Sequence, residues 1–214
     1  MFTSRSIQST LTFRDKIFSI DYILVFSILT LGVISMFAMY STDGGSFAYH
    51  TRSHILRFFV FFSLFIIISF FPIKFWFQSS LIIYFVFFLL LVGVKYFGLT
   101  SSGSQRWINL YVINLQPSEL MKIGLILFLA KYYHRIPVSD VNKFRFLFFP
   151  ILCVTAPALL VISQPDLGTA ILIVAGGIIV AWLAGIKFKF FAYISIIFLA
   201  LAPIAISFLK PYQK

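Results

Sequence analysis

The sequence predicts an all-α protein, a polytopic transmembrane helical bundle of about seven spans in a single domain over residues 1–214. Three observations lead there. Hydrophobic residues make up 61% of the chain and charged residues 11%, with a mean hydropathy of +1.02, whereas a soluble domain carries about 25% charged residues. The apolar residues come in unbroken runs, and a helix needs about 20 of them to cross a bilayer. A membrane barrel would alternate polar and apolar residues instead. Finally, the charged residues collect between those runs, at positions where span ends meet water.

Taken in order, residues 1–19 are polar and basic, with Arg5, Arg14 and Lys16, and read as a cytoplasmic tail. The first apolar run, about 22–40, is long enough to span and is followed by no small-residue cleavage site, so no cleavable signal sequence is expected. A polar loop over 41–54 contains Asp43, Gly44 and Gly45. Span two is about 55–71, stopped by Pro72. Lys74 marks a tight return, and span three covers about 80–97. The interval 103–122 separates it from span four, which runs to about 133. Span five, about 146–163, follows a charged turn over 134–145. The turn 164–169 leads into span six, ending near 185, and Lys187 and Lys189 form a basic hairpin before span seven at about 191–209. No internal repeat stands out. The 29 phenylalanines read as lipid-facing bulk and helix packing.

Orientation follows from the bias of Lys and Arg toward cytoplasmic loops. With the N-terminus inside, the inner segments hold Arg5, Arg14, Lys16, Lys74, Lys131, Arg135, Lys143, Arg145, Lys187 and Lys189, ten of the 17 basic residues. The modest bias leaves an unusually basic outer side, with Arg52, Arg57, Arg106 and Lys122 at or near the outer leaflet. The net charge of +11 suits membrane lipids with anionic headgroups or an anionic substrate. Nucleic acid is excluded as a partner, because the basic residues are scattered between spans and form no stripe. Cys153, the single cysteine, lies in an apolar run and reads as a small buried hydrophobe. His50, His54 and His134 have no metal-ligand spacing, so no metal site is expected.

Two polar intervals look functional. In Gly103–Lys122, Arg106 and Trp107 stand near the interface, followed by Gln116, Pro117, Ser118, Glu119 and Lys122 at the start of span four. Proline suits the first helical turn, Glu119 complements the positive end of the helix, and Glu119 with Lys122 can form an i,i+3 pair. A lysine one turn into an apolar span is costly unless paired or functional, and beside free N–H groups it makes an anion site. Arg and Trp serve as interface anchors in many membrane proteins. Arg106 can instead grip a phosphate through its planar fork, with Trp107 stacking on a sugar or lining a groove for a lipid tail. In the second interval, Gln164–Thr169, Asp166 fits an N-cap accepting from Thr169 N–H, or a carboxylate that orients a basic residue or meets a substrate.

The strings Gly103-Ser104-Gln105-Arg106-Trp107-Ile108, Gln116-Pro117-Ser118-Glu119-Leu120-Met121-Lys122 and Gln164-Pro165-Asp166-Leu167-Gly168-Thr169-Ala170 resemble the SEDS family (shape, elongation, division and sporulation proteins). The Gln before Pro165 and the short polar N-terminus look more like its rod-shape branch than its division branch. The resemblance covers essentially the whole chain. It implies a multi-pass peptidoglycan glycosyltransferase of the bacterial cytoplasmic (inner) membrane, concerned with cell elongation and cell shape. Such enzymes polymerise lipid II outside that membrane beside a class B penicillin-binding protein and other elongation-complex proteins. Arg106, Trp107, Glu119, Lys122 and Asp166 would shape the lipid II site. The family's catalytic Asp lies in a large outer loop after the segment matching span seven, where this sequence stops. No catalytic base is therefore placed on any residue here, and the chain reads as the N-terminal portion of a truncated SEDS fold, inactive alone. No cofactor is expected, with a divalent cation left as an option.

Two rival readings follow from the same resemblance. One is a lipid II flippase, for which broken helices or charges near the bilayer midplane are expected; here the charges sit at span ends. The other is a non-catalytic subunit that binds the penicillin-binding protein.

Overall fold

The computed structural model describes residues 13–101, 104–109 and 114–193. Their contacts divide into two compact units, one ending at Ile73 and the other beginning at Lys74, taken here in turn.

The first unit is a helical hairpin, α2 (Tyr22–Thr42) and α3 (Tyr49–Ser69), preceded by the short α1 (Phe13–Phe18). Asp21 starts α2 by accepting from the N–H groups of Ile23 at 3.0 Å and Leu24 at 3.1 Å, two donors that no helical carbonyl can reach. The helix ends where Gly44 and Gly45 take φ values of 68° and 77°, a left-handed pair that glycine adopts without strain. Across that turn Asp43 accepts from the backbone N–H of Thr51 at 2.8 Å and from its hydroxyl at 2.6 Å. Asp43 thereby caps α3 from outside the helix. Further along, α2 and α3 approach closely at Gly32, where a Cβ would lie 2.2 Å from Phe58 Cζ. Beside it, Ser35 donates to Gly32 O at 2.7 Å and meets His54 Nε2 at 2.9 Å. Lys16 Nζ donates to Phe70 O at 2.9 Å, tying α1 to the far end of α3.

The hydrogen bonds from the Thr51 hydroxyl and then its N–H hold the Asp43 carboxyl below its ordinary 3.8. A carboxylate with a depressed folded-state value stabilises the fold above the unfolded value, and that support disappears as pH falls through the folded value. The Thr51 amide is therefore expected to stay protected from hydrogen exchange at pH 4 and to lose protection only below pH 3.8. Asp43→Ala should expose it at neutral pH. Equal exchange in the variant and the parent would show that the turn holds without this bond.

The second unit contains α4 (Ile73–Phe97), β1 (Leu99–Ser101), β2 (Ser104–Asn109), β3 (Asn114–Leu115), α5 (Pro117–His134), α6 (Phe144–Ser163) and α7 (Leu167–Leu183), with residues 188–193 again helical. Its centre is α5. Met121, Leu125 and Leu129 are fully buried at i, i+4 and i+8, one stripe of the helix. Gly124 admits Phe87 of α4, whose Cδ2 would lie 2.8 Å from a Cβ there, and Gly177 of α7 admits Val154 of α6. Small residues at such crossings let membrane helices approach where no hydrophobic drive exists between them. Asn142 clamps the opposite turns, donating to Gly185 O at 3.3 Å and accepting from Lys187 N–H at 2.8 Å.

The helical membrane bundle is as the sequence predicts. Expected spans one, two, three and five correspond to α2, α3, α4 and α6, each long and apolar enough to cross a membrane. Spans four and six correspond to α5, of 18 residues, and α7, of 17. The seventh, about 191–209, lies largely outside the described residues, as do residues 1–12. Boundaries differ for physical reasons. Helix α3 begins at Tyr49 instead of about 55 because Asp43 caps it from across the turn. Helix α4 begins at Ile73 instead of about 80, so Lys74 lies inside its first turn. The interval before α5 is not a plain loop: it carries a three-stranded antiparallel sheet of order β1-β2-β3.

Candidate functional site

Arg106 and Trp107 are consecutive residues of β2, the central strand. Leu99 pairs with Trp107, and Ile108 and Asn109 pair with Leu115 and Asn114. Successive side chains on a strand point to opposite faces. Arg106 and Trp107 are both half-buried yet cannot close on the same small group.

Arg106 reaches the turn between α6 and α7. Its Nε–H donates to Gln164 O at 3.2 Å, its Nη2 donates to Pro165 O, and its Nη1 lies 3.7 Å from Asp166 Oδ2. Asp166 is also the N-cap of α7. Its Oδ1 accepts from Thr169 N–H at 3.2 Å, while Oδ2 accepts from the Thr169 hydroxyl at 2.9 Å and from Gln116 Nε2 at 3.2 Å. One carboxylate, 12% exposed, therefore joins β2, the start of α5 and the start of α7. Both expectations for Asp166 within the protein hold: it caps a helix and it orients a basic residue.

Glu119 and Lys122 pair one turn into α5. Lys122 Nζ lies 2.9 Å from Oε1 and 2.8 Å from Oε2 of Glu119, the i,i+3 arrangement read from the spacing. At 1.5 Å of rise per residue, Lys122 stands about 9 Å along the axis from Gln116. The two helix starts differ. Asp166 caps α7 with its side chain, whereas α5 begins at Gln116 with no side-chain cap: Pro117 has no N–H to satisfy, Ser118 is buried, and Glu119 N–H bonds Gln116 O at 3.1 Å.

Two glutamines complete the site that the sequence reading did not assign. Gln116 holds Asp166, and Gln164, buried at the end of α6, donates from its side chain to Leu91 O of α4 at 3.1 Å. The available signal was the Gln-Pro dipeptide, present at both helix starts. Among the described residues no group of three His, Cys, Asp or Glu is placed to hold a metal ion. An apolar crevice of about 280 Å³, lined by Leu129, Tyr133, Phe144, Leu147, Ala181 and Phe190 among others, lies at the other ends of α5, α6 and α7. It is separate from these polar groups.

Residues 15–214 match the sequence family described as cell cycle protein, FtsW/RodA/SpoVE. The chain is 32% identical over 174 residues to the probable peptidoglycan glycosyltransferase FtsW of Buchnera aphidicola subsp. Schizaphis graminum, covering 79% of this chain and 49% of that protein. It is 36% identical over 124 residues to peptidoglycan glycosyltransferase MrdB of Escherichia coli K12, covering 56% of this chain and 32% of that one. A chain of a peptidoglycan synthase complex, solved for the coordination of polymerization and crosslinking, superposes with a TM-score of 0.74 at 25% identity, covering 91% of this chain and 57% of its own. The chain thus spans about half or less of the length of these curated relatives. Its long apolar helices and the family match together make it an integral membrane protein of the SEDS family, the FtsW/RodA/SpoVE cell cycle proteins.

Proposed function

We propose that this chain forms the lipid II-engaging part of a RodA-like peptidoglycan glycosyltransferase of cell elongation and cell-shape control. The observation that carries the reading is the convergence of Arg106, Gln116 and Asp166 at the start of α5, with the Glu119–Lys122 pair one turn further along that helix. Preorganised donors of this kind are what a departing pyrophosphate needs. The names of the relatives, peptidoglycan glycosyltransferases, support the reaction class.

In that reaction the acceptor sugar hydroxyl attacks the anomeric carbon of the donor. A new glycosidic C–O bond forms, the bond to the polyprenyl pyrophosphate breaks, and the hydroxyl proton passes to a carboxylate base with inversion. Asp166 is committed to Thr169, Gln116 and Arg106, so the base is assigned to no residue described here. Arg106 and Lys122 meet the pyrophosphate, with Glu119 holding Lys122 between ligands, and Trp107 lines the reverse face of β2 for sugar or lipid tail. The N-terminus lies in the cytoplasm and the site faces the outer leaflet of the inner membrane, consistent with the distribution of Lys and Arg. A class B penicillin-binding protein and other elongation-complex proteins are the partners. The similarity to a complex that joins polymerization to crosslinking supports the first of them. No organic cofactor is involved; a divalent cation on the pyrophosphate is the one addition the chemistry admits.

Lipid II binding to the chain in nanodiscs tests this. Arg106→Lys, which cannot reach two adjacent carbonyls and keep a charge for the ligand, should weaken binding about tenfold, the effect of one lost charged hydrogen bond. Lys122→Ala should weaken it similarly. Glu119→Gln should tighten it, because the carboxylate competes with the lipid for Lys122. Unchanged binding in all three would reduce these residues to membrane anchors. Adding a separately expressed segment that completes the length of the relatives should give glycan from labelled lipid II. Transbilayer movement of lipid II without polymer would favour a flippase instead.

A further inference from the structure

Gln164 has two polar ends, and different elements use them. It is 4% exposed, at the close of α6. Its backbone N–H bonds Val161 O at 3.0 Å, so ending the helix asks nothing of the side chain. The side-chain amide instead crosses to α4 and donates to Leu91 O at 3.1 Å, a carbonyl whose second lone pair can take it. Leu91 is fully buried. The backbone carbonyl of Gln164 faces the other way and accepts from Arg106 Nε at 3.2 Å, with Pro165 O beside it accepting from Nη2.

These bonds settle the direction of the guanidinium. Arg106 sits in a sheet whose strands are two to six residues long, and so small a sheet is marginal without support. Its Nε–Nη2 edge is held by two successive carbonyls, which turns Nη1 toward Asp166. Both carbonyls belong to one turn, and the Gln164 amide braces that turn against α4.

We infer that Gln164 is a positioning residue: its strut to Leu91 O fixes the two carbonyls that hold Arg106 with Nη1 toward Asp166, and so sets the orientation in which Arg106 meets an anionic ligand. The inference rests on the proposed reading of Arg106 as a contact to the lipid pyrophosphate.

The test is a double-mutant cycle on the full chain in nanodiscs, read by lipid II binding and by thermal unfolding. Gln164→Met keeps the length and burial but lacks the amide. Gln164→Asn keeps an amide one methylene short of Leu91 O and guards against a variant that fails to fold. Either should weaken lipid II binding about tenfold, as one unsatisfied buried partner costs, yet add little once Arg106 is already Lys. A purely structural glutamine would give losses that multiply. Parent-like binding in both Gln164 variants, or fully multiplicative losses with Arg106→Lys, overturns the inference while leaving the reading of Arg106 intact. If Arg106→Lys itself binds lipid II normally, that reading fails. The unfolding midpoints of the same proteins then decide the strut, with non-additive shifts between positions 106 and 164 supporting it and additive shifts overturning it.

Discussion

Asp166→Ala is expected to destabilise the protein by about 2 to 3 kcal/mol, combining a lost helix cap with lost charge-assisted hydrogen bonds, and to abolish measurable lipid II binding. The carboxylate is shared by α7, through Thr169, by the start of α5, through Gln116, and by β2, through Arg106. Removing it leaves a half-buried guanidinium without its counter-charge. The magnitude is held to the lower end because Arg106 remains 30% exposed, and water screens what Asp166 no longer does. Asp166→Asn separates the two roles. Asparagine is as good an N-cap as aspartate, so its oxygen can still accept from Thr169 N–H. Its amide nitrogen, however, is a donor turned toward Arg106 Nη1. The Asn variant should therefore recover most of the stability and little of the binding. Recovery of both would mean that the charge on Asp166 has no part in holding Arg106. Thermal unfolding and lipid II titration of the three proteins in nanodiscs separate these outcomes.

The sequence made the helices legible and the contacts between them only partly so. Runs near 20 apolar residues announce α2, α4 and α6 because the bilayer demands that length. The start of α3 was hidden, since its cap comes from Asp43, eight residues before Thr51 and beyond the usual capping-box span. The small sheet left no trace: its strands are short and rich in Ser, Asn and Gln, with no apolar alternation to read. That omission mattered for the site. Read as a loop, Arg106 and Trp107 have no fixed directions; as consecutive residues of β2, the pleat sends them to opposite faces. The same-side placement of Arg106 and Asp166 could be had by counting spans. Their contact could not, because it depends on Gln164 bracing the turn against α4, a long-range bond between a side chain and a helix carbonyl that no local pattern encodes. Glu119 and Lys122 are the opposite case, with i,i+3 spacing sufficient to foretell the pair.

Gly177→Leu is expected to separate α7 from α6 and, through that, to dismantle the site at the far end of the helix. A Cβ at position 177 would lie 2.6 Å from Val154 Cγ2 and 3.1 Å from Cγ1. Valine in a helix keeps essentially one χ1 rotamer, so turning one methyl away brings the other in, and relief must come from the backbones moving apart. Overpacking of this kind costs about 1 to 3 kcal/mol. Alanine would regain about 1 kcal/mol of helix propensity over glycine, so Gly177→Ala is the milder variant and leucine the severe one. Gly176 is the internal control. A Cβ there meets Ile126 at 3.8 Å, an ordinary contact, and Gly176→Ala should be neutral or stabilising. Because α7 carries Asp166 at its start, a displaced α7 draws the carboxylate away from Arg106, so lipid II binding should fall with stability in the Gly177 variants. Val154→Ala in the Gly177→Ala background removes the two methyls responsible and should restore both. If Gly177→Leu unfolds at the parent's midpoint, or if Val154→Ala fails to rescue Gly177→Ala, the α6–α7 crossing is not what holds Asp166 in place.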